Sequence, residues 1–156
     1  MRVSAVFLLT ALAGASCQPH PTGSTGTPTA TNRPPAPAAS LHETRWLLRQ
    51  IGTQAVTVPE GGQEPYLLLR RSGPAEGQGS CNRFRGTALT DSTKSLTFSP
   101  LMSTRMACPA MATEQAFTQA LAATHAYRIN GDTLRLYAAT EPTGAPLARL
   151  EAVYLH

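Results

Sequence analysis

The sequence lacks the short motifs that mark common catalytic sites, and it contains few charged residues. It has no Gly-x-Ser-x-Gly, His-Glu-x-x-His, phosphate-binding loop or dinucleotide fingerprint. Its basic residues stand singly or as the pair Arg70-Arg71, and Lys94 is the one lysine. A nucleic-acid-binding protein would gather them in one run or stripe with interleaved aromatic residues. We therefore expect no nucleic-acid partner, no cofactor and no enzymatic activity.

The sequence also lacks an apolar run long enough to cross a bilayer as a helix, which takes roughly 18 residues or more. Its longest apolar run, Val3 to Ala13, follows Met1-Arg2 and contains two polar residues. Small residues then lead to Cys17. A short positive start, a short apolar run and small residues are typical of a secretion signal. The pattern predicts a signal peptide over residues 1–16.

Cysteine is scarce, and the count of three bears on how Cys17 is used. Cleavage after Ala13 or Ala15 would leave Cys17 as an odd thiol, whereas cleavage just before it would make it the lipid-bearing first residue of a lipoprotein. The segment 12–17 resembles a lipobox in which Gly14 replaces the usual aliphatic residue. Acylation of one cysteine leaves an even pair for the oxidising exterior. We expect a lipoprotein of the outer membrane that faces the periplasm; the alternative is a soluble periplasmic or secreted protein.

Large apolar residues are almost absent from the stretch after Cys17. Residues 18–40 consist mainly of Pro, Thr, Ala, Gly and Ser, so they cannot bury enough surface to offset the entropy of ordering. As a flexible coil, this stretch would span about 26 Å. It predicts a disordered tether over residues 17–40, followed by one folded domain at 41–156.

The folded part has short β-type segments separated by turn residues, and one helical pattern. Asn130-Gly131 between two alternating segments is a strong hairpin signal. Pro109 followed by apolar residues at helical spacing predicts a helix over about 110–124. The remaining segments predict strands at 44–51, with Trp46 in the core or closing one end of it, and at 66–70, 81–85, 87–89, 95–98, 127–129, 133–137 and 147–155. The expected fold is mainly β with one α-helix, an antiparallel meander or partly closed barrel with the helix packed against it.

Cys81 and Cys108 could form a disulfide, bind a metal ion or act as nucleophiles. In an exported protein, the simplest use of such a pair is a disulfide. Two separate buried thiols remain an alternative. A zinc site would need His42 or His125 as further ligands, and a nucleophilic Cys108 would need a base such as His125. We expect the disulfide, and no metal or catalytic residue.

Polar residues cluster around the two cysteines in the sequence. The cluster consists of Asn82, Arg83, Arg85 and Arg105. One interpretation is a patch that recognises an anionic group or a partner protein, because arginine presents a planar fork of donors. The other is that Asn82 caps a turn through its own backbone while the arginines flank it. Scattered carboxylates, Glu114 among them, are interpreted as solvated surface.

Several segments together resemble a known family. Gly79-Ser80-Cys81-Asn82-Arg83-Phe84-Arg85-Gly86, Thr104-Arg105-Met106-Ala107-Cys108, and the later Glu114, Phe117 and Leu121 are similar to the META domain, also called HslJ-like. Ser80 replaces a Gly that commonly precedes the Cys, and Thr87-Ala88 replaces an aromatic residue.

The resemblance implies a protein of the bacterial envelope, often a lipoprotein, linked to heat shock, drug tolerance or motility, with no established catalytic residues. We therefore expect a monomeric, non-enzymatic envelope protein that supports envelope integrity or stress tolerance. It would be held at the membrane through Cys17 and could have an envelope protein partner. The alternative is a secreted binding module or inhibitor that uses the arginine-rich patch beside the disulfide.

Overall fold

A computed structural model of the protein describes residues 37–154. The predicted signal peptide, Cys17, most of the tether and the last two residues lie outside this part. The strands are β1 Arg45–Ile51, β2 Gln54–Ala55, β3 Tyr66–Leu69, β4 Pro74–Gln78, β5 Arg83–Thr90, β6 Leu96–Phe98, β7 Met102–Ser103, β8 Ala126–Asn130, β9 Thr133–Tyr137 and β10 Ala148–Val153; the helix α1 is Met111–Ala122.

Eight of these strands form one antiparallel sheet in the order β6-β5-β4-β3-β1-β10-β9-β8. The strands before the helix form one meander and those after it form a second. The two meanders join where the last strand, β10, pairs with the first, β1. The short β2 pairs with β1, and the short β7 pairs with β5.

The two ends of this sheet curl toward each other. A bridge joins Ser95 to Ala126, and the N–H of Leu96 donates to the carbonyl of His125 at 3.0 Å. The N–H of Tyr127 donates to the carbonyl of Lys94 at the same distance. These bonds join the two edges of the sheet into a nearly closed barrel, which confirms the predicted fold class.

The barrel interior is filled by alternate side chains of its strands. Trp46 is fully buried in it, as predicted, and its indole N–H donates to the carbonyl of Leu41 at 3.0 Å. This bond satisfies the one polar group that the ring brings into the core. Leucines from β1, β3, β9 and β10 supply most of the remaining buried surface.

The helix packs against the barrel through the stripe that its spacing predicts. Phe117 and Leu121 have no exposed surface. The ring of Phe117 meets that of Phe84 edge to face, with centroids 5.9 Å apart. Within the described residues, no helical segment has the length and hydropathy that a membrane span requires.

The structure differs from the predicted elements at β5 and β4, and it adds the two-residue strands β2 and β7, which were not predicted. The segments 81–85 and 87–89 were expected as separate strands, but β5 runs continuously through Gly86. The strand β4 was not expected at all, because Pro74 and Gly77 both disfavour strands in general. Pro74 is the first residue of the strand, and a Cβ at Gly77 would clash with the carbonyl oxygen of Tyr66.

Candidate functional site

The disulfide joins Cys81, just before β5, to Cys108, just before α1, as predicted. Their Cα atoms are 5.8 Å apart, within the normal range for such a bond. Cys81 is buried and Cys108 is half-buried. The bond ties the helix start to the sheet at a point 27 residues earlier in the chain.

Beside the disulfide, the carboxylate of Glu114 is buried against the loop that carries Cys81. One oxygen, Oε2, accepts the backbone N–H groups of Cys81 at 3.0 Å and Asn82 at 2.6 Å. The other, Oε1, accepts the side-chain amide of Asn82 at 2.8 Å. Glu114 is 7% exposed, so its interpretation as solvated surface is wrong. Its three hydrogen bonds compensate the burial of its charge.

The amide side chain of Asn82 links the same loop to the segment before the helix. Its Nδ2 donates to the carbonyl of Met106 at 2.9 Å, and its Oδ1 accepts the N–H of Met106 at 2.7 Å and the hydroxyl of Thr104 at 2.8 Å. Asn82 is 1% exposed. Its side chain therefore bonds to other segments and does not cap its own turn, which corrects one prediction, and its partner-binding role stays a prediction for a side chain that is almost fully buried.

The backbone of the loop is shaped to admit Glu114. A Cβ added at Gly79 would lie 2.6 Å from Cγ of Glu114, so any larger residue there would have to displace the Glu114 side chain. The next residue, Ser80, has φ of +114°, a conformation that glycine adopts freely and other residues adopt at a cost. The position at which this sequence departs from the family pattern is therefore one where glycine is favoured.

A family model for the META domain matches residues 39–154. The chain belongs to the META domain family. The NMR structure of a protein from Burkholderia xenovorans is similar, with 25% identity and a TM-score of 0.56 over 81% of this chain and 96% of that one. A search of curated proteins found no match.

Within the META domain, the side chains of Cys81, Cys108, Asn82 and Glu114 form a network. They bond to one another and to nearby backbone groups. The proposed base, His125, lies three residues beyond the end of α1, and Cys108 lies three residues before its start. The twelve-residue helix between them is about 18 Å long, so Cys108 and His125 lie near opposite ends of α1, and the structure gives the alternative of a Cys108–His125 pair no support. Among residues 37–154, no group of three or more His, Cys, Asp or Glu is arranged to hold a metal ion.

The three arginines of the predicted patch are exposed. Arg83 and Arg85 point outward from β5 on either side of the buried Phe84, and Arg105 follows β7. Arg83 and Arg85 line a groove of about 550 Å³ together with residues of β3, β4 and β7. The carboxylate of Glu76 lies 3.7 Å from the guanidinium of Arg85. The structure thus separates the predicted patch into a buried Asn82 and an exposed arginine face.

The residue that the sequence reasoning missed is Glu114. A signal for its burial was present, because Glu114, Phe117 and Leu121 follow the 3-and-4 spacing of one helix face. A carboxylate on the face that packs against the sheet needs buried donors. The loop at Cys81 and Asn82 provides them.

Proposed function

We propose that this META-domain protein is a non-enzymatic lipoprotein of the bacterial cell envelope that supports envelope integrity or stress tolerance. The family relation supports an HslJ-like envelope or stress protein in general terms. The observation that carries the specific proposal is the self-contained network formed by residues in the segments that resemble the family. Its thiols are joined and its polar side chains bond one another, which suits a structural scaffold.

The proposed location of the protein in the envelope depends on Cys17, which lies outside the described residues. Metabolic labelling with palmitate should mark the wild-type protein and leave the Cys17→Ala variant unlabelled. The labelled protein should remain with the membranes through a high-salt wash, which removes proteins held by charge alone, and the variant should appear in the soluble fraction after that wash. An unlabelled wild-type protein in that soluble fraction would remove the anchor from the proposal and leave a soluble envelope protein.

The role is tested in the producing bacterium. A strain without this gene should lose viability in detergent or heat, and the wild-type gene should restore it. Restoration by a Cys81→Ala/Cys108→Ala variant that accumulates to wild-type level would contradict a role for the cross-linked scaffold. Sensitivity unchanged by deletion would contradict the role in envelope integrity.

A further inference from the structure

The register of the second meander brings together three arginines that are far apart in sequence. Arg128 of β8 lies directly opposite Arg135 of β9, and Arg135 lies directly opposite Arg149 of β10. We call these three residues the arginine ladder. Neighbouring strands are about 4.8 Å apart, so the three side chains leave one face of the sheet within about 10 Å.

The ladder lies on the outer face of the barrel. The residues flanking it along β9 and β10, which include Leu134, Leu136 and Leu150, are fully buried and point inward, and side chains alternate between the two faces of a strand. Arg128 and Arg149 are exposed, and Arg135 between them is half-buried. The ladder is therefore open to a ligand from solvent.

No carboxylate within residues 37–154 forms an ion pair with the ladder. The nearest acid along β10, Glu151, accepts a hydrogen bond from Arg49 at 2.9 Å. Arg49 also pairs with Glu64. Like charges directly opposite one another destabilise a sheet, so the ladder is an arrangement that folding alone disfavours and that a bound anion would favour.

We propose that the arginine ladder binds the phosphate groups of an anionic lipid bilayer. The choice of a lipid surface rests on the proposed lipid anchor, because the chain between Cys17 and the domain, if it is the flexible coil that its composition predicts, would span about 26 Å and leave the bilayer within reach. Arginine binds phosphate through its planar fork of donors.

A protein partner fits the ladder less well. Protein interfaces depend on buried aromatic or aliphatic anchors. The large apolar side chains exposed within residues 37–154 are Val58, Leu89, Met102, Met106 and Tyr154. Four of them lie outside the second meander, and the fifth, Tyr154, directly follows β10 with its hydroxyl bonded to Asp132 of the β8–β9 turn, beyond the end of the ladder. A charged bilayer surface needs no such anchor, since basic residues near it bind through electrostatic attraction.

The test compares two variants that remove the same charge from different faces. The ladder variant is Arg128→Gln/Arg135→Gln/Arg149→Gln. The control is Arg83→Gln/Arg85→Gln/Arg105→Gln, which removes three exposed arginines from the β5 side. Both are made in the exported protein carrying Cys17→Ser, so that no acyl chain contributes. Binding is measured by sedimentation with vesicles of phosphatidylcholine and phosphatidylglycerol at 2:1 in 0.1 M salt.

We expect the ladder variant to lose about 100-fold in partition coefficient, since each basic residue near an anionic surface contributes about five-fold. The control should lose less than five-fold. Binding should also vanish on pure phosphatidylcholine and weaken as salt rises. Equal losses in the two variants would overturn the proposal in favour of net charge alone. A larger loss in the control would assign membrane binding to the β5 side.

Two further measurements test whether the ladder variant is folded and whether the ligand is a lipid surface or an acidic protein. The ladder variant should unfold at a denaturant concentration no lower than wild type, because repulsion between the arginines is removed, so loss of binding cannot come from unfolding. Binding of a polyglutamate peptide to the ladder without binding to vesicles would overturn the lipid assignment and indicate an acidic protein partner. Failure of the palmitate label with ladder-dependent vesicle binding intact would remove the anchor and leave this inference standing.

Discussion

At the scale of single residues, the centre of the META domain is the contact between Glu114 and the loop at Cys81 and Asn82. A carboxylate buried to this degree remains stable only when donors surround it. Three donors do so here, two of them backbone N–H groups. Asn82 then extends the network to Met106 through two further bonds.

Glu114→Gln should lower the free energy of unfolding by about 2 kcal/mol, the usual worth of hydrogen bonds to a buried charge. The amide oxygen can still accept the two backbone N–H groups, but the amide NH₂ then faces the Nδ2 donor of Asn82. Urea unfolding measures the change. The matched control is Glu60→Gln in an exposed loop, which should have no effect. An equal effect in both variants would show that overall charge, and not this contact, is responsible.

Ser80→Gly and Gly79→Ala should change stability in opposite directions. Relief of the φ of +114° at Ser80 should raise the free energy of unfolding by about 1 kcal/mol after the entropy of glycine is subtracted. A methyl group at Gly79 would press on Glu114 and should lower it by about 2 kcal/mol. Chemical denaturation of both variants checks the pair. A stabilising Gly79→Ala would contradict the tight packing of Glu114 on this loop.

At the scale of elements, the sequence predicted those helices and hairpins that depend on residues close together in the chain. The β8–β9 hairpin follows from Asn130-Gly131, and α1 follows from its apolar spacing. The strand β4 was missed because glycine and proline disfavour strands. The reason for the glycine appears only in the fold, where the carbonyl oxygen of Tyr66 leaves no room for a Cβ at Gly77. The arginine ladder was missed for a related reason, because it depends on pairing between strands that residue propensities do not specify. The spacing of α1 did indicate the burial of Glu114, but the donors that stabilise it lie in a loop more than thirty residues earlier.

Arg135→Thr in the centre of the ladder should stabilise the sheet. It replaces a charge between two like charges by a β-branched residue suited to a strand. The free energy of unfolding should rise by about 0.5 kcal/mol at low salt. The gain should shrink in 1 M NaCl, where the screening length falls to about 3 Å. Arg71→Thr, outside any strand, is the control and should give no salt-dependent gain.

At the scale of the whole molecule, the two meanders are connected in three ways. Pairing of β1 with β10 joins them on one side, and the bridge between Ser95 and Ala126 joins them on the other. The third connection is the chain that passes through α1, and the disulfide fastens the start of that helix to the first meander. Opening the disulfide would leave the Glu114 and Asn82 contacts to hold this crossover.

Removing the disulfide should therefore weaken the whole fold and not the helix alone. The bond closes a loop of about 28 residues, whose chain entropy corresponds to about 3.5 kcal/mol, a large part of the roughly 5–15 kcal/mol typical of a domain. Cys81→Ala/Cys108→Ala should lower the free energy of unfolding by that amount, and reductant should have a similar effect on the wild type but none on the variant. Cys17→Ala should leave stability unchanged. Because sheet and helix share one core, circular dichroism and Trp46 fluorescence should report one transition; separate transitions would show that the disulfide holds only the helix.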